Sequence, residues 1–150
     1  MIALIQRVSR ANVAVAGEVI AEIGRGLVVF VGVALADSER EAEKLADRVL
    51  HYRVFADSAG RMNLSVREVE GAVLLVPQFT LTADTSGGLR PSFSSAARPG
   101  LGAQLFNHFV AQVRASGVPS ACGRFGADMQ VSSTNDGPVT FWLEAEPLKT

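Results

Sequence analysis

The chain of 150 residues has a single cysteine, Cys122, so it can neither close an internal disulfide nor supply a multi-thiolate zinc site. Histidine is scarce too: His51 and His108 stand alone, and neither belongs to a His-Glu-x-x-His ligand pair. The longest nearly unbroken apolar run, Leu27 to Ala36, is about half of the roughly 20 residues that cross a bilayer, and no basic segment precedes the first hydrophobic residues. These absences predict a soluble, cytoplasmic protein without metal, cofactor or membrane partner. With 48% hydrophobic and 19% charged residues, residues 1–150 suffice for one domain that buries roughly two-thirds of its unfolded surface.

Net charge is also missing. Lys plus Arg is 14 against 15 Asp plus Glu, which leaves −1 and no global field for nucleic acid. The distribution is less even. From Thr85 to Ala127 there is no Asp or Glu, while Arg90, Arg98, Arg114 and Arg124 fall inside. Two readings stay open: arginines scattered over different faces, or a phosphate-facing edge for which the bidentate guanidinium is suited.

Ile2 to Val8 and Asn12 to Ile23 have strand composition, broken near Ala16-Gly17-Glu18, and Gly24-Arg25-Gly26 precedes a buried strand, Leu27 to Val33. Ser38 and Glu41 have capping-box spacing, and Ala42, Leu45, Ala46, Val49, Leu50 and Arg53 keep a helical period, which predicts a helix over Glu39 to Val54. Asn63 to Glu70 is ambiguous, and Ala72 to Phe79 is an apolar strand as far as Pro77-Gln78. Thr80 to Ser95, with Gly87-Gly88 and Pro91, is loop chemistry. A second helix, Leu101 to Ser116, stops at Gly117 and Pro119; Arg124 to Ser133 and Val139 to Ala145 are strands around an Asn135-Asp136-Gly137-Pro138 turn. The order predicts an α+β fold, a mainly antiparallel sheet with two helices in a single domain.

Hydrolysis usually needs a nucleophile with a base in reach. His51 and His108 fall on the helices, far in sequence from the hydroxyl-rich loops. Cys122 lacks the neighbours of a thiolate nucleophile and reads as a small buried residue. Gly24-Arg25-Gly26 precedes a strand, where a dinucleotide fingerprint would follow one. Two segments remain. Pro77-Gln78-Phe79-Thr80-Leu81 ends an apolar strand in an amide, an aromatic ring and a hydroxyl; Asn135 to Thr140 reads alone as a hairpin turn.

Together with Ile2-Ala3-Leu4-Ile5-Gln6-Arg7-Val8, Met62-Asn63-Leu64, Arg90-Pro91-Ser92-Phe93 and Gly123 to Val131, these segments resemble the D-aminoacyl-tRNA deacylase family over nearly the whole chain. The family's signatures are Ser-Gln-Phe-Thr-Leu, matched by Pro77 to Leu81, and Asn-x-Gly-Pro-Val-Thr, matched by Asn135 to Thr140. Proline replaces serine at 77, removing a hydroxyl and an N–H. A branch of altered chiral stringency also has proline there, but a small residue where this chain keeps Phe79.

The resemblance implies a homodimer in which the Gly137-Pro138 element of one subunit reaches the other's pocket, with aminoacyl-tRNA carrying a D-amino acid or glycine as substrate and no metal. It also implies a cis Gly137-Pro138 bond whose neighbouring carbonyls receive the substrate ammonium, so that an L-residue drives its Cβ into them. Backbone N–H groups near Phe79 and Thr80 suit a developing oxyanion, Gln78 orients water or substrate, and Phe79 is a surface for the terminal adenine or a core aromatic. Thr80 lacks a neighbouring base, which favours water activated by the ribose hydroxyl of the terminal adenosine. Arg7 is a support for the Gly-Pro element; Arg90, Arg124 and Met129 are supporting or tRNA-binding candidates. The competing expectations are a non-catalytic RNA-binding dimer and a small-ester hydrolase using Thr80 with His51 or His108.

Overall fold

In the computed structural model, which describes residues 1–149, the first apolar stretches form one long hairpin. Strand β1 (Ile2–Val15) turns at Ala16-Gly17 and returns along one edge as β2 (Glu18–Ile23) and β3 (Gly26–Gly32). The turn residues have φ of 51° and 79°, the left-handed pair that fits the twist of a two-residue hairpin. The expected interruption after Val8 does not occur. Arg10 and Ala11 stay in the ladder, with the Arg10 side chain exposed and Ala11 buried, the alternation of a pleated strand. Gly24-Arg25 is a bend between two strands on the same edge of β1, not a reversal.

Helix α1 (Glu39–His51) begins where the sequence indicates: the Ser38 N–H donates to Glu41 Oε2 at 2.8 Å and the Ser38 hydroxyl at 2.5 Å. It stops at His51 rather than Val54. Tyr52 is extended, its ring edge-on to Phe141 at 5.8 Å, and Phe55 is already buried in a small hairpin, β4 (Phe55–Ala56) with β5 (Met62–Leu64). Strand β6 (Ala72–Pro77) then pairs in parallel with β3, and β7 (Ser120–Cys122) in parallel with β6 after helix α2 (Pro99–Ala115). Finally β8 (Gln130–Glu144) lies antiparallel on the free edge of β1. The sheet order is β2-β1-β3-β6-β7, with β8 beside β1. Antiparallel ladders join β1 to three strands, as expected for an α+β fold; the parallel β3-β6-β7 arm adds what the patterning did not reveal.

Strand β6 is apolar throughout because both of its faces are covered. Val73 and Leu75 pack with Leu45 and Val49 of α1 and Leu105, Phe109 and Val113 of α2, while Leu74 and Val76 join Val8, Val13, Ile23 and Val28 on the opposite face. Each such side chain contributes about 1.5–3 kcal/mol by leaving water. At the start of β3 only glycine fits, since a Cβ on Gly26 would stand 1.7 Å from the Ala72 carbonyl oxygen. No helix among the described residues is long and apolar enough to cross a membrane.

Candidate active site

The last ladder bond of β6 runs from the Gln78 N–H to the Val31 carbonyl at 2.7 Å. The chain then leaves the sheet in a 3-10 turn, Phe79–Thr82, so Phe79 is not the strand residue expected. The first N–H of that turn to find an acceptor is that of Leu81, on the Gln78 carbonyl at 3.2 Å, so the Phe79 and Thr80 N–H groups before it have no partner among the described residues. The Gln78 amide donates to Thr80 Oγ1. The turn is tied down by Thr82, whose hydroxyl donates to the Phe79 carbonyl at 2.7 Å and whose own carbonyl accepts from Ser95 Oγ at 2.6 Å.

Pro77 disturbs none of this. The Val73 N–H points to β7, donating to the Pro119 carbonyl at 2.9 Å, and the Gln78 N–H points to β3. By alternation residue 77 faces β7, just where that ladder ends with the Gly123 N–H on the Leu75 carbonyl at 2.8 Å. Proline therefore sits at the edge of the site without breaking the β3–β6 pairing.

Beside this strand end lies a cavity of about 550 Å³, walled by Val76 to Phe79, by Phe93, Ala96, Ala97 and Pro99, and by Phe125 to Ala127 with Met129 and Val131. Gln78 is the single polar side chain among these walls. Phe79 is 56% exposed and its ring meets that of Phe93 at 5.2 Å, so it lines an opening and does not close the core. Met129 is held in the wall by the Arg124 N–H, which donates to Sδ at 3.3 Å. Phe93 and Phe125 lie in segments that carry the family resemblance but are not among the site residues the sequence names; the signal for Phe93 is a large aromatic in loop chemistry, whereas Phe125 falls in a stretch read as strand.

The arginines of the acid-free segment fall into two groups. Arg90, Arg98 and Arg124 are exposed, each within three residues of a cavity-lining residue, and none is paired with an acid among the described residues. Arg114 stands apart at the end of α2, its guanidinium 3.7 Å from Cys122 Sγ. Burial pushes the Cys122 thiol up, against the pull of that guanidinium, so it stays protonated at neutral pH.

The Asn135 to Pro138 segment is not a turn between two strands. Both flanks pair with β1 in one direction: Val8 faces Asn135 and Gln6 faces Thr140, so Asp136 to Val139 stand opposite Arg7 alone. The excess forms a bulge, and the Gly137-Pro138 bond within it is cis. Arg124 to Met129, expected as strand, is loop. Asn135 Oδ1 accepts the Val139 N–H at 3.0 Å, and Thr140 Oγ1 accepts from Asn135 Nδ2 and from Gln6 Nε2, both at 3.2 Å. Arg7 fastens the other side, donating Nε–H to the Asp136 carbonyl at 3.0 Å and Nη1–H to the Val54 carbonyl at 2.7 Å. Gly137 has φ +141°, and a Cβ there would come within 2.6 Å of Val139 Cγ2. Gly137 and Pro138 are exposed and do not line the cavity of their own chain.

The histidines lie elsewhere. His51 contacts the Asp47 carbonyl at 2.9 Å, and His108 contacts Glu43 Oε1 at 2.9 Å; neither reaches Thr80. No group of three or more His, Cys, Asp or Glu that could hold a metal ion exists among the described residues.

This architecture is that of the D-amino acid tRNA deacylase fold. A structure described as a probable eukaryotic D-amino acid tRNA deacylase superposes with a TM-score of 0.84 at 16% identity, over 96% of this chain and 98% of that one. A c-Myc DNA unwinding element binding protein superposes at 0.93 with 39% identity, over 98% of this chain and 100% of that one. Residues 4–144 match the family model described as D-Tyr-tRNA(Tyr) deacylase. The D-aminoacyl-tRNA deacylase of Nitrosococcus oceani is 61% identical over 98% of this chain and 95% of its own, and that of Photorhabdus laumondii 54% identical over 96% and 99%. The chain belongs to the D-aminoacyl-tRNA deacylase family.

Proposed function

We propose that the protein hydrolyses the ester that joins a D-amino acid or glycine to tRNA, in the cytoplasm, as a homodimer whose two sites are each completed by the partner's Gly137-Pro138 element. The observation that carries this reading is the separation of two half-sites: unpaired Phe79 and Thr80 N–H groups beside an apolar cavity, and an exposed, rigidly braced Gly137-Pro138 bulge outside it.

The cavity receives the terminal adenosine, with its base on the Phe79 and Phe93 rings, since aromatic faces stack any base. Main-chain carbonyls of the partner's Gly137-Pro138 element accept hydrogen bonds from the substrate ammonium. An L-residue in that pose drives its Cβ into the carbonyls, whereas a D-residue turns it away and glycine has none. The Phe79 and Thr80 N–H groups stabilise the oxyanion that forms as water adds to the ester carbonyl, a contribution of about 3 to 4 kcal/mol per donor. The ribose hydroxyl next to the ester relays the proton: it accepts one from the attacking water while passing its own to the ribose oxygen that leaves as the acyl C–O bond breaks, since Thr80 has only the Gln78 amide beside it and an amide is no base at neutral pH. Met129 and Arg124 hold the cavity wall, and Arg7 keeps the bulge in place.

Paired deacylation of D-Tyr-tRNA and L-Tyr-tRNA, with glycyl-tRNA as control, tests this. Hydrolysis of the D- and glycyl esters with the L-ester spared is expected. Hydrolysis of none makes the protein an RNA-binding dimer, and activity lost on replacing His51 and His108 makes it a small-ester hydrolase.

A further inference from the structure

We propose that Leu89 and Arg90, at the tip of the Asp84–Ser92 loop, dock against the paired end of the tRNA acceptor stem. This rests on the deacylase reading above, which makes acylated tRNA the substrate. The loop is a built projection. Asp84 and Ser92 exchange backbone hydrogen bonds at 2.8 and 2.9 Å across its base, and Asp84 Oδ1 accepts from the Ser86 N–H at 2.9 Å and the Ser86 hydroxyl at 2.6 Å. At the tip, after Gly87-Gly88, the Leu89 side chain is fully exposed and Arg90 is exposed beside it.

One exposed leucine is ordinary by itself. Its surroundings give it a partner. Ser92 leads directly to Phe93 in the cavity wall, so only the three residues Arg90 to Ser92 separate Leu89 from the site, four steps along the chain. The tip can thus stand up to about 14 Å from Phe93. That is the advance of roughly four stacked nucleotides at about 3.4 Å each, the span between a terminal adenosine and the last base pair. The segment from Thr85 to Ala127 has no acid, while Arg98 and Arg124 flank the cavity. An apolar side chain in a field that attracts phosphates meets one apolar surface at the end of a helical RNA, the face of the terminal pair on its 5′ strand, which the stacked 3′ nucleotides leave uncovered, and Arg90 takes an adjacent phosphate. Neither contact reads base edges, so many tRNAs are served alike.

The test compares Leu89→Ser, Leu89→Met and Arg90→Gln on D-Tyr-tRNA and on the same D-tyrosine ester of a CCA trinucleotide without a stem. The ratio of kcat/KM on tRNA to that on the trinucleotide is expected to fall about five-fold or more for Leu89→Ser, through KM, and to be restored by Leu89→Met. Arg90→Gln reduces the salt slope of log KM on tRNA by about 0.7 to 0.9. An unchanged ratio overturns the proposal, whether both substrates suffer equally or neither does. Binding of an uncharged acceptor-stem minihelix, weakened by Leu89→Ser while CCA binding holds, decides the matter even if the wild type hydrolyses no ester and the deacylase reading fails. A change in the mass of Leu89→Ser by light scattering also overturns it, since the tip would then contact a second copy of the chain.

Discussion

Asn135 accepts the backbone N–H of Val139 at 3.0 Å and thereby closes the bulge that carries Gly137 and Pro138. Both ends of the six-residue motif serve this closure, because Thr140 accepts the other Asn135 side-chain bond. Asn135→Ala leaves the partly buried Val139 N–H without a partner, at a cost of about 1–3 kcal/mol. Thermal unfolding is expected to show a Tm lower by roughly 2 to 4 °C per kcal/mol, with a larger proportional loss of D-deacylation. Asn135→Asp keeps the acceptor and is expected to retain most of the stability; an Asp variant as unstable as Ala would show that the Thr140 bond dominates.

Gly137→Ala attacks the same bulge by a different route. The added Cβ would stand 2.6 Å from Val139 Cγ2, 2.9 Å from the Val139 nitrogen and 3.2 Å from Arg7 Nη2, so the backbone has to move. A displacement of about 1 Å in a positioning element lowers turnover by roughly 100-fold. Loss on that scale is expected for D-Tyr-tRNA, with far-UV circular dichroism unchanged because β8 remains paired on both sides of the bulge. Wild-type turnover in this variant would remove Gly137 from the chiral filter.

Local chemistry made much of this legible in the sequence. The Ser38–Glu41 box marked the start of α1, and apolar periodicity marked both helices. What patterning missed was pairing at a distance. A run such as Asn-Asp-Gly-Pro has the composition of a reversal, and only the shared partner β1 turns it into a bulge. Parallel pairing of β3, β6 and β7 leaves the same apolar runs as any buried strand. The site was legible as motifs, and its two halves were named; that Phe93 and Phe125 share a wall with Met129 depends on loop packing with no period to read.

Acid stability is expected to depend on Glu41. The Ser38 hydroxyl bond holds its carboxyl below the ordinary value of 4.5, only partly opposed by burial. The native state therefore binds this proton less readily than the unfolded chain. The stabilisation is complete above about pH 4.5 and is lost as pH falls through the lower native value. Glu41→Gln keeps an acceptor for Ser38 but removes the charge near the helix N-terminus, and is expected to lower stability at pH 7 by about 0.3–1 kcal/mol and to narrow that difference below pH 4. Urea unfolding at pH 7 and pH 3.5 checks this, and an equal difference at both would mean that the carboxylate charge is irrelevant.

Thr80 is exposed at the strand end, with its oxygen bonded to the Gln78 amide, and His51 and His108 are occupied elsewhere on the helices. A threonine without a base is a weak nucleophile, so its side chain should matter little while its N–H matters for the oxyanion. Thr80→Val keeps the N–H and removes the hydroxyl. It is expected to retain D-deacylation within about three-fold, whereas tRNA ending in 2′-deoxyadenosine, acylated at the 3′ oxygen, is expected to lose at least 100-fold, the lower range for a positioned acid–base group. Single-turnover rates on the two substrates separate the cases. An inactive Thr80→Val together with an active deoxy substrate would assign the attack to threonine and dispense with help from the RNA.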